Sequence, residues 1–566
     1  MKIALSNMNS RIGALELNAQ AILESAGDAT GADVLVTPEL AISGYPPRDL
    51  LLREGFVDRC ERTVGMLAAQ LPPELLVLVG TPRRLPDGDR CANSIAACLG
   101  GEIIAWGDKR LLPGYDVFDD DRYFVPGEQS TTVDHKGVRI GLMICEDLWQ
   151  GGDVRERTAY EFDPVGELVQ QGAQLLITSS ASPFATGKHA RQREYLERTA
   201  REHGVSIASV NRSGSEDDLV FDGASMLVNP AGESLAYGAP FTGTRVVHGD
   251  LGSRVDSTAI ENMCEDQERF EALVEGVRGY LSKTGQKHVI IGLSGGIDSA
   301  VTVAIAAAAV GGENITGVMM PSRHSSSHSL SDAAESARLL GLSRCLEIPI
   351  EPIHQSIRDS IRQPLGDELI EEGSLTDQNL QARSRGLILM GLSNAMGGLV
   401  ISTGNKSEMA AGYATLYGDM CGALAVLGDV LKMDVYSMAN WMNEHHEQVG
   451  FEDPLVPTGS ITKPPSAELK PDQLDEDSLP PYEVLDDIVR RWIEEEQSSD
   501  RIIEETGFPS EEVLNLLRII DQSQFKREQA AIIPKVSRRA FGRGRPWPVI
   551  GVPGGAAHWI PAGNRA

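Results

Sequence analysis

Short apolar runs alternate with helix-like stretches along most of the chain, and this alternation predicts the class of fold. In the first half, the runs typical of buried strands are Lys2–Leu5, Val34–Thr37, Leu75–Gly80, Arg139–Ile144, Gln174–Thr178, Val205–Val210 and Ala224–Val228. Helical stretches lie between several of them, at Leu15–Ser25, Val57–Ala69 and Arg191–His203. Strands and helices in this order predict an α/β layered domain with more than one sheet.

The sequence becomes polar and glycine-rich around Gly249–Asp256, which is typical of a domain boundary. A helix-like stretch at Glu265–Lys283 then precedes a second alternating series, at 289–293, 300–310, Ile315–Met319, Ala333–Leu340, Cys345–Ile348, Leu380–Asn394 and Val400–Thr403. This order predicts a doubly wound parallel sheet. We expect one domain at residues 1–255, a second at 256–545 and a Gly/Pro-rich tail at 546–566. Two further stretches, Ser322–Leu330 and Pro454–Pro481, are typical of mobile loops that act as lids.

Composition narrows the classes of partner. A formal net charge of −30 makes binding to nucleic acid or to an anionic membrane unfavourable. No apolar run approaches the roughly 18–20 residues that a membrane span needs, and the first residues lack the apolar core of a signal peptide, so the cytoplasm is the expected compartment. The 7 cysteines form no C-x-x-C pair, which argues against a disulfide framework or a zinc site.

Residues 288–299 read His-Val-Ile-Ile-Gly-Leu-Ser-Gly-Gly-Ile-Asp-Ser and lead from a strand through a tight turn into a helix. Unpaired backbone N–H groups at the start of a helix form an anion site. The loop lacks the lysine of a Walker sequence. It resembles instead the pyrophosphate loop of enzymes that adenylate a substrate, which would bind ATP through Gly292, Leu293, Ser294, Gly295, Gly296, Ile297, Asp298 and Ser299. The alternative is a βα turn without a ligand.

Three residues with reactive side chains each lie just beyond a predicted strand in the first half. Glu39 comes after Val34–Val36, Lys109 after Ile103–Ala105, and Cys145 after a strand ending at Ile144. A thiol nucleophile needs a base and a cation beside the developing oxyanion, and Glu and Lys supply them. For Cys145 alone, the alternative is a small buried hydrophobe.

Pro-Glu-Leu, Lys-Arg-Leu-Leu-Pro and Ile-Cys-Glu-Asp-Leu-Trp, in this order, resemble the nitrilase/amidase superfamily over roughly residues 1–250. The resemblance implies an α-β-β-α sandwich in which Glu39 is the general base, Lys109 stabilises the tetrahedral intermediate and Cys145 forms an acyl-enzyme. The segment 111–124 is similar to glutamine-hydrolysing members, which implies glutamine binding by Tyr115, Ser182 and Lys188. Arginine is common in the family where this chain has Lys188, and lysine lacks its bidentate fork. The alternative for Lys188 is a solvated surface lysine.

A series of motifs in the second half resembles the NAD synthetases across roughly residues 265–545. They are 377–385, 402–408, 414–420, 431–436, 465–469, 475–482 and 525–529. Activation of an acid by ATP needs Mg²⁺, which prefers carboxylate ligands, and Asp298 and Glu408 are the candidates. Lys432 would help to stabilise leaving pyrophosphate and Thr403 would help to hold the nucleotide. The resemblance implies contacts to deamido-NAD from Asn379, Glu408 and Lys526. Taken singly, each carboxylate would more commonly be a surface group.

Together the two resemblances indicate the family of glutamine-dependent NAD synthetases. The family implies that ammonia released from glutamine amidates deamido-NAD after activation by ATP, with Mg²⁺ as cofactor, and that the protein is a homo-oligomer. GMP and asparagine synthetases are alternatives, but they carry different glutaminase domains. A fused hydrolase with a degenerate nucleotide domain is disfavoured by the intact Asp298, Thr403 and Glu408. A non-catalytic scaffold is disfavoured by Glu39, Lys109 and Cys145.

Overall fold

The computed structural model describes residues 1–86, 90–149, 160–253, 263–366, 371–542 and 544–550. Contacts between Cα atoms divide the chain into two compact units, Met1–Met263 and Cys264–Ala566. The predicted boundary between residues 255 and 256 lies outside the described residues, as do residues 551–566 of the predicted tail.

The first unit combines strands and helices. Its strands are β1 (Lys2–Ser6), β2 (Val34–Val36), β3 (Leu76–Arg84), β4 (Cys91–Leu99), β5 (Glu102–Asp108), β6 (Thr131–His135), β7 (Val138–Ile144), β8 (Leu175–Ser180), β9 (Ser206–Asn211), β10 (Ser213–Glu216), β11 (Leu219–Asp222), β12 (Met226–Val228), β13 (Ser234–Tyr237) and β14 (Val246–Asp250). Its helices are α1 (Leu15–Asp28), α2 (Phe56–Ala68), α3 (Pro164–Gln170) and α4 (Lys188–His203).

Two sheets form the centre of this unit, in the orders β14-β1-β2-β3-β4-β5 and β13-β12-β9-β8-β7-β6. Alternate side chains of their inner strands, such as Val34, Leu76, Ile140 and Ile177, share one buried layer between the sheets. The opposite faces pack against helices, with α1 and α2 on the first sheet and α3 and α4 on the second. Burial on both faces explains why the central strands read as continuous apolar runs.

The second unit contains β15 (Val289–Gly292), β16 (Ile315–Met319), β17 (Arg344–Glu347), β18 (Leu399–Ser402) and β19 (Leu424–Ala425). Its helices are α5 (Glu265–Thr284), α6 (Ile297–Val310), α7 (Ser327–Leu339), α8 (Glu351–Leu365), α9 (Leu375–Met396), α10 (Lys406–Ala411), α11 (Lys432–Glu444), α12 (Thr458–Thr462), α13 (Tyr482–Val489), α14 (Ser499–Thr506), α15 (Ser510–Gln522) and α16 (Gln524–Arg527). The strands pair in parallel in the order β17-β16-β15-β18-β19.

This order reverses direction at β15, so the loop after β15 opens at the switch point of a doubly wound sheet. Two helices begin earlier than the apolar pattern predicts, because serines cap them. Ser326 Oγ accepts a hydrogen bond from Ser329 N at the start of α7, and Ser374 Oγ accepts one from Asp377 N at the start of α9. The predicted loop Ser322–Leu330 is therefore partly helical.

Candidate active sites

Cys145 lies directly beyond β7, at the start of a single 3₁₀ turn, Cys145–Leu148. Its φ of +46° is uncommon for a residue with a side chain and marks a sharp change of chain direction. The residue is 3% exposed. Burial raises the pKa of the Cys145 thiol to about 12, and the negative charge of Glu39 contributes to the increase, while Lys109 and Lys188 oppose it. A nucleophilic thiolate at this position therefore needs a base to take the proton.

Glu39 is buried, and each of its hydrogen-bond partners is a donor. Its Oε1 accepts from Asn93 Nδ2 and from Lys109 Nζ, both at 2.7 Å, and its Oε2 accepts from Ala181 N at 3.1 Å. The turn that carries Glu39 packs tightly onto β3 at Gly80, where a Cβ atom would lie 2.2 Å from Pro38 O. Three donors and a rigid turn suit an ionised carboxylate that acts as a base.

Lys109 lies between two carboxylates. Its Nζ is 2.7 Å from Glu39 Oε1 and 2.7 Å from Asp120 Oδ2. Burial by itself would lower the pKa of Lys109, but Asp120 and Glu39 outweigh it and hold that pKa well above its usual value. An ammonium has three N–H donors, and the described residues occupy two of them. The third is available for an oxyanion that develops on a substrate.

The residues predicted to bind glutamine lie in two groups. Lys188 Nζ donates to Ser182 Oγ at 2.7 Å and to Pro183 O at 2.6 Å, so Lys188 is half-buried and not a solvated surface lysine. Tyr115 OH donates at 3.0 Å to Glu146 Oε2, next to Cys145 in the chain. The structure therefore brings Ser182 and Lys188 together, and it places the hydroxyl of Tyr115 against Glu146, the residue that follows Cys145.

Sequence reasoning missed three polar residues of this site. The side chain of Asn93 contacts Glu39, and that of Asp120 contacts Lys109. Asp147 accepts from Arg110 N at 2.9 Å and Leu111 N at 2.8 Å through Oδ1, and from Ile144 N at 2.9 Å through Oδ2. Asp120 and Asp147 fall inside motifs that carry the family resemblance, so a signal existed for them. Asn93 lies in β4, which no predicted strand covers, so the sequence analysis carried no signal for it.

A cavity of about 280 Å³ lies in the second unit, at the carboxyl ends of its strands. Predicted ATP-binding residues that line it are Gly292, Leu293, Ser294, Gly296, Ile297, Asp298, Ser299, Thr403 and Lys432. Gly295 has φ +78°, and a Cβ atom there would lie 2.1 Å from Ser329 O. Close packing of the turn on the start of α7 therefore requires glycine, while the N-terminus of α6 faces the cavity.

Lys432, at the start of α11, links the two predicted metal ligands. Its Nζ lies 2.5 Å from Asp298 Oδ2 and 3.5 Å from Glu408 Oε1. Asn405 Nδ2 donates to Asp298 Oδ1 at 2.9 Å, and Asn405 Oδ1 caps α10 through Glu408 N at 3.0 Å. Burial raises the pKa of Glu408 to about 8, and the negative charge of Asp298 contributes to the increase, against the opposing effect of Lys432. The group formed by Asp298, Glu408 and Lys432 therefore has two carboxyl groups for one ammonium and is short of positive charge.

This shortage fits a divalent cation, whose preferred ligands are carboxylate oxygens. The described residues contain no cluster of three or more His, Cys, Asp or Glu side chains able to hold a metal by themselves. Two carboxylates are enough for Mg²⁺ when phosphate groups of a substrate and water molecules supply its remaining ligands.

The residues predicted to contact deamido-NAD divide between the cavity and its surroundings. Glu408 lines the cavity, whereas Asn379 and Lys526 are not among the described residues that line it. Asn379 Oδ1 accepts from Thr415 Oγ1 at 2.7 Å. Lys526 Nζ donates to Gly412 O and Ala414 O, both at 2.7 Å. Both therefore contact the segment directly after α10.

Further polar residues line the cavity without having been predicted. Arg385 lies on α9 and Asp475 lies in the segment before α13, and both belong to motifs of the series. Burial lowers the pKa of Arg385 to about 10, although the negative charges of Asp419 and Glu468 oppose the decrease. The guanidinium therefore stays charged at neutral pH. Lys463 lines the same cavity and lies 2.6 Å from Glu468 Oε1.

Comparison with known proteins covers nearly the whole chain. Residues 2–258 match the model of the carbon-nitrogen hydrolase family, and residues 269–530 match that of NAD synthase. The glutamine-dependent NAD(+) synthetase of Synechocystis sp. is 43% identical to this chain over 97% of the chain and 98% of its own length. The enzyme of the same name from Thermotoga maritima is 38% identical over 96% of the chain and 97% of its own length. This chain belongs to the glutamine-dependent NAD(+) synthetase family.

Solved structures agree with membership in the glutamine-dependent NAD(+) synthetase family. The enzyme of that name from Acinetobacter baumannii, in complex with adenosine diphosphate, shares 35% identity and superposes with a TM-score of 0.75, covering 98% of this chain and 99% of its own. A second, from Cytophaga hutchinsonii, has a TM-score of 0.82 at 22% identity, covers 97% of this chain and 98% of its own, and shows the fold alone. The predicted family and fold class are confirmed. In the part of the chain that the structure describes, no helix is both long and apolar enough to cross a membrane.

Proposed function

We propose that this chain makes NAD from deamido-NAD, ATP and glutamine, releasing AMP, pyrophosphate and glutamate. The observation that carries the proposal is the presence of two complementary sites in one chain. One is a buried thiol with a carboxylate base and a lysine. The other is a cavity with a pyrophosphate-type loop and two carboxylates. A nitrogen-releasing site and an acid-activating site together make up an amidotransferase.

In the first site, Cys145 Sγ attacks the side-chain carboxamide of glutamine while Glu39 takes the thiol proton. Lys109 stabilises the oxyanion through the N–H that Glu39 and Asp120 do not occupy. The C–N bond then breaks, Glu39 returns the proton to the leaving nitrogen, and ammonia and a thioester form. Water hydrolyses the thioester to glutamate. Ser182, Lys188 and Tyr115 are the proposed contacts to the ends of glutamine.

In the second site, the N-terminus of α6 and Lys432 hold the phosphates of ATP, while Thr403 helps to hold the nucleotide. The carboxylate of deamido-NAD attacks the α-phosphorus and pyrophosphate leaves. Ammonia then displaces AMP and forms the carboxamide of NAD. Asp298 and Glu408 would hold Mg²⁺, which supplies charge neutralisation to the phosphates when bound. Asn379, Glu408 and Lys526 are the proposed contacts to deamido-NAD.

Two features support a cytoplasmic location and a homo-oligomer. The seven cysteines are free thiols, which suits the reducing cytoplasm. Helix α9 exposes apolar side chains, with Leu387 62% and Met390 41% exposed, which suits a subunit contact in a homo-oligomer. Light scattering coupled to size-exclusion chromatography measures the number of subunits, and a monomer at assay concentrations would contradict this proposal.

A pair of variants tests the function. Cys145→Ala is expected to form no NAD from glutamine but to retain the ammonium-driven rate, because the thiol serves only the first site. Asp298→Ala is expected to lose NAD and AMP formation with both nitrogen sources, because activation precedes amidation. NAD and AMP are measured in a reaction with deamido-NAD, ATP and Mg²⁺. Loss of the ammonium reaction in Cys145→Ala, or full activity in Asp298→Ala, would contradict the assignment.

A further inference from the structure

Asn93, on β4, joins the base and the lysine of the first site. Its side-chain Nδ2 donates to Glu39 Oε1 at 2.7 Å, and its backbone O accepts from Lys109 N at 2.8 Å. The residue is 1% exposed, in the same strand as core residues of the layer between the two sheets. A single residue therefore fixes both the position of the base and the backbone that carries the cation.

The orientation of this amide is determined by Glu39. Only the nitrogen of a carboxamide can donate to a carboxylate, so Asn93 Oδ1 must point away from Glu39. That Oδ1 is buried and has no hydrogen-bond partner among the described residues. A buried acceptor without a partner is unfavourable. The contact to Glu39 therefore outweighs the unsatisfied acceptor, which indicates that the side chain is held for the base.

The donors around Glu39 are distributed unequally between its two oxygens. Asn93 and Lys109 both donate to Oε1, whereas the Ala181 N–H, at 3.1 Å, is the single donor to Oε2 among the described residues. Each carboxylate oxygen has two lone-pair directions. Oε1 is therefore saturated, and Oε2 keeps one direction in which it can accept a proton. Without Asn93, Oε1 would regain a free direction and the carboxylate could rotate.

We propose that Asn93 is a positioning residue for glutamine hydrolysis, which holds Glu39 Oε1 so that Oε2 exchanges the proton. Oε2 takes the proton from Cys145 Sγ as the S–C bond forms, and returns it to the leaving nitrogen as the C–N bond breaks and ammonia departs. The inference rests on the proposed function of the first site and assigns the proton to one atom of its base.

The test compares full-length wild type with Asn93→Asp, which keeps the size of the side chain, removes the donor and adds a negative charge. We expect kcat of the glutamine-driven reaction to fall roughly 10- to 100-fold, as for impaired general-base catalysis. We expect KM for glutamine to change less than about threefold, because Asn93 holds the base and not the substrate. The ammonium-driven rate stays unchanged. Asn229→Asp, in the turn between β12 and β13, is the matched control.

Alkylation of Cys145 by iodoacetamide, measured against pH, separates a positioning role from a structural one. A second carboxylate beside Glu39 favours protonation of the pair, so the acidic limb of the alkylation rate should move to higher pH in Asn93→Asp. If kcat falls but the acidic limb of the alkylation rate stays at the same pH, Asn93 has a merely structural role and the proposal is overturned. An unchanged kcat in Asn93→Asp would overturn it as well.

If Asn93→Asp does not fold, Asn93→Ser and Asn93→Ala decide the question, since only serine retains a donor. A glutamine-driven kcat that is higher in Asn93→Ser than in Asn93→Ala supports the proposal, and equal kcat values in the two variants overturn it. Absence of glutamine-driven activity in the wild type would instead refute the proposed function itself.

Discussion

Glu408 shows how strongly the environment of one residue changes the pKa of its side chain. Its side chain is 18% exposed and lies near Asp298, and Lys432 only partly offsets the charge of the two carboxylates. Burial, together with repulsion from Asp298, raises the pKa of Glu408 to about 8 from an ordinary value of 4.5. The folded protein without ligands therefore holds a proton on Glu408 over a pH range in which the unfolded chain has released it. A bound cation would take the place of that proton.

The raised pKa of Glu408 makes stability depend on pH. A carboxyl group with a raised pKa in the folded state contributes stability that is fully present below 4.5 and is lost as the pH rises through about 8. Glu408→Gln imitates the protonated form and keeps the capping arrangement with Asn405. We expect the variant to melt at a higher temperature than wild type, by a margin that is larger at pH 9 than at pH 6, both without metal.

Differential scanning calorimetry at the two pH values measures this effect. The exposed Glu447, shortly after the end of α11, gives the matched control Glu447→Gln, which should show no such dependence on pH. A difference between wild type and Glu408→Gln that is equal at both pH values would contradict the raised pKa. Saturating Mg²⁺ and ATP should reverse the order at pH 9, because only the wild type offers both carboxylates.

At the scale of single residues, the sequence predicts polar groups at strand ends better than groups that reach across a sheet. Glu39, Lys109 and Cys145 could be proposed because each lies just beyond a predicted strand. Asn93 belongs to the same site but lies within a strand, and its contact to Glu39 spans 54 positions of the chain. Such a pairing depends on strand order, which the apolar pattern does not specify.

Among the elements, the short helix α10 depends on a network of ion pairs around its buried Lys406. Lys406 is fully buried, and its Nζ lies 2.9 Å from Asp429 Oδ1 and 2.6 Å from Glu494 Oε1. Asp429 also accepts from Val536 N at 2.8 Å and Ser537 N at 2.7 Å. The network therefore ties the helix that carries Glu408 to the segment before α11 and to a segment near the end of the described chain.

Lys406→Met tests this network, because it keeps the length of the side chain and removes the charge. It leaves the buried Asp429 and the partly buried Glu494 without their cation, and loss of one partner of a buried pair typically costs about 3–5 kcal/mol. We expect a lower urea midpoint and loss of NAD formation from both nitrogen sources, since α10 and the start of α11 are no longer held together. Lys470→Met, at a partly exposed position in a loop, should leave the urea midpoint unchanged. An unchanged midpoint in Lys406→Met would contradict the role of the network.

Several elements with long apolar runs were predicted within a few residues, whereas the strand β4 and the ends of helices that depend on polar caps were not. The predicted helix at Leu380–Asn394 is observed as Leu375–Met396, extended by the Ser374 cap. The helices α13 to α15 were not predicted, although they share one buried core with α10. Their apolar residues come after the Pro-rich stretch Pro454–Pro481, which predicts a loop and not the start of a series of helices.

At the scale of the whole molecule, the net charge of −30 opposes the binding of ATP and deamido-NAD, which are both anions. The cavity offsets this with Arg385, Lys432 and Lys463, each of which lies near carboxylates. Salt screens exposed charges over about 10 Å at 0.1 M but acts much less on buried pairs. Long-range repulsion should therefore weaken with added salt, while the short-range contacts persist.

Salt should therefore change the apparent affinity for the anionic substrate. Raising KCl from about 0.02 to about 0.2 M, a change that shortens the screening length severalfold, should lower KM for ATP by roughly twofold or more. KM for glutamine, a zwitterion without net charge, should stay nearly constant and serves as the control within the same reaction. Initial rates at fixed excess Mg²⁺ measure both constants. A KM for ATP that rises with salt would mean that the cations of the cavity are exposed to solvent, because only solvated charges are screened so readily. That result would contradict the division between an acidic exterior and a buried anion site.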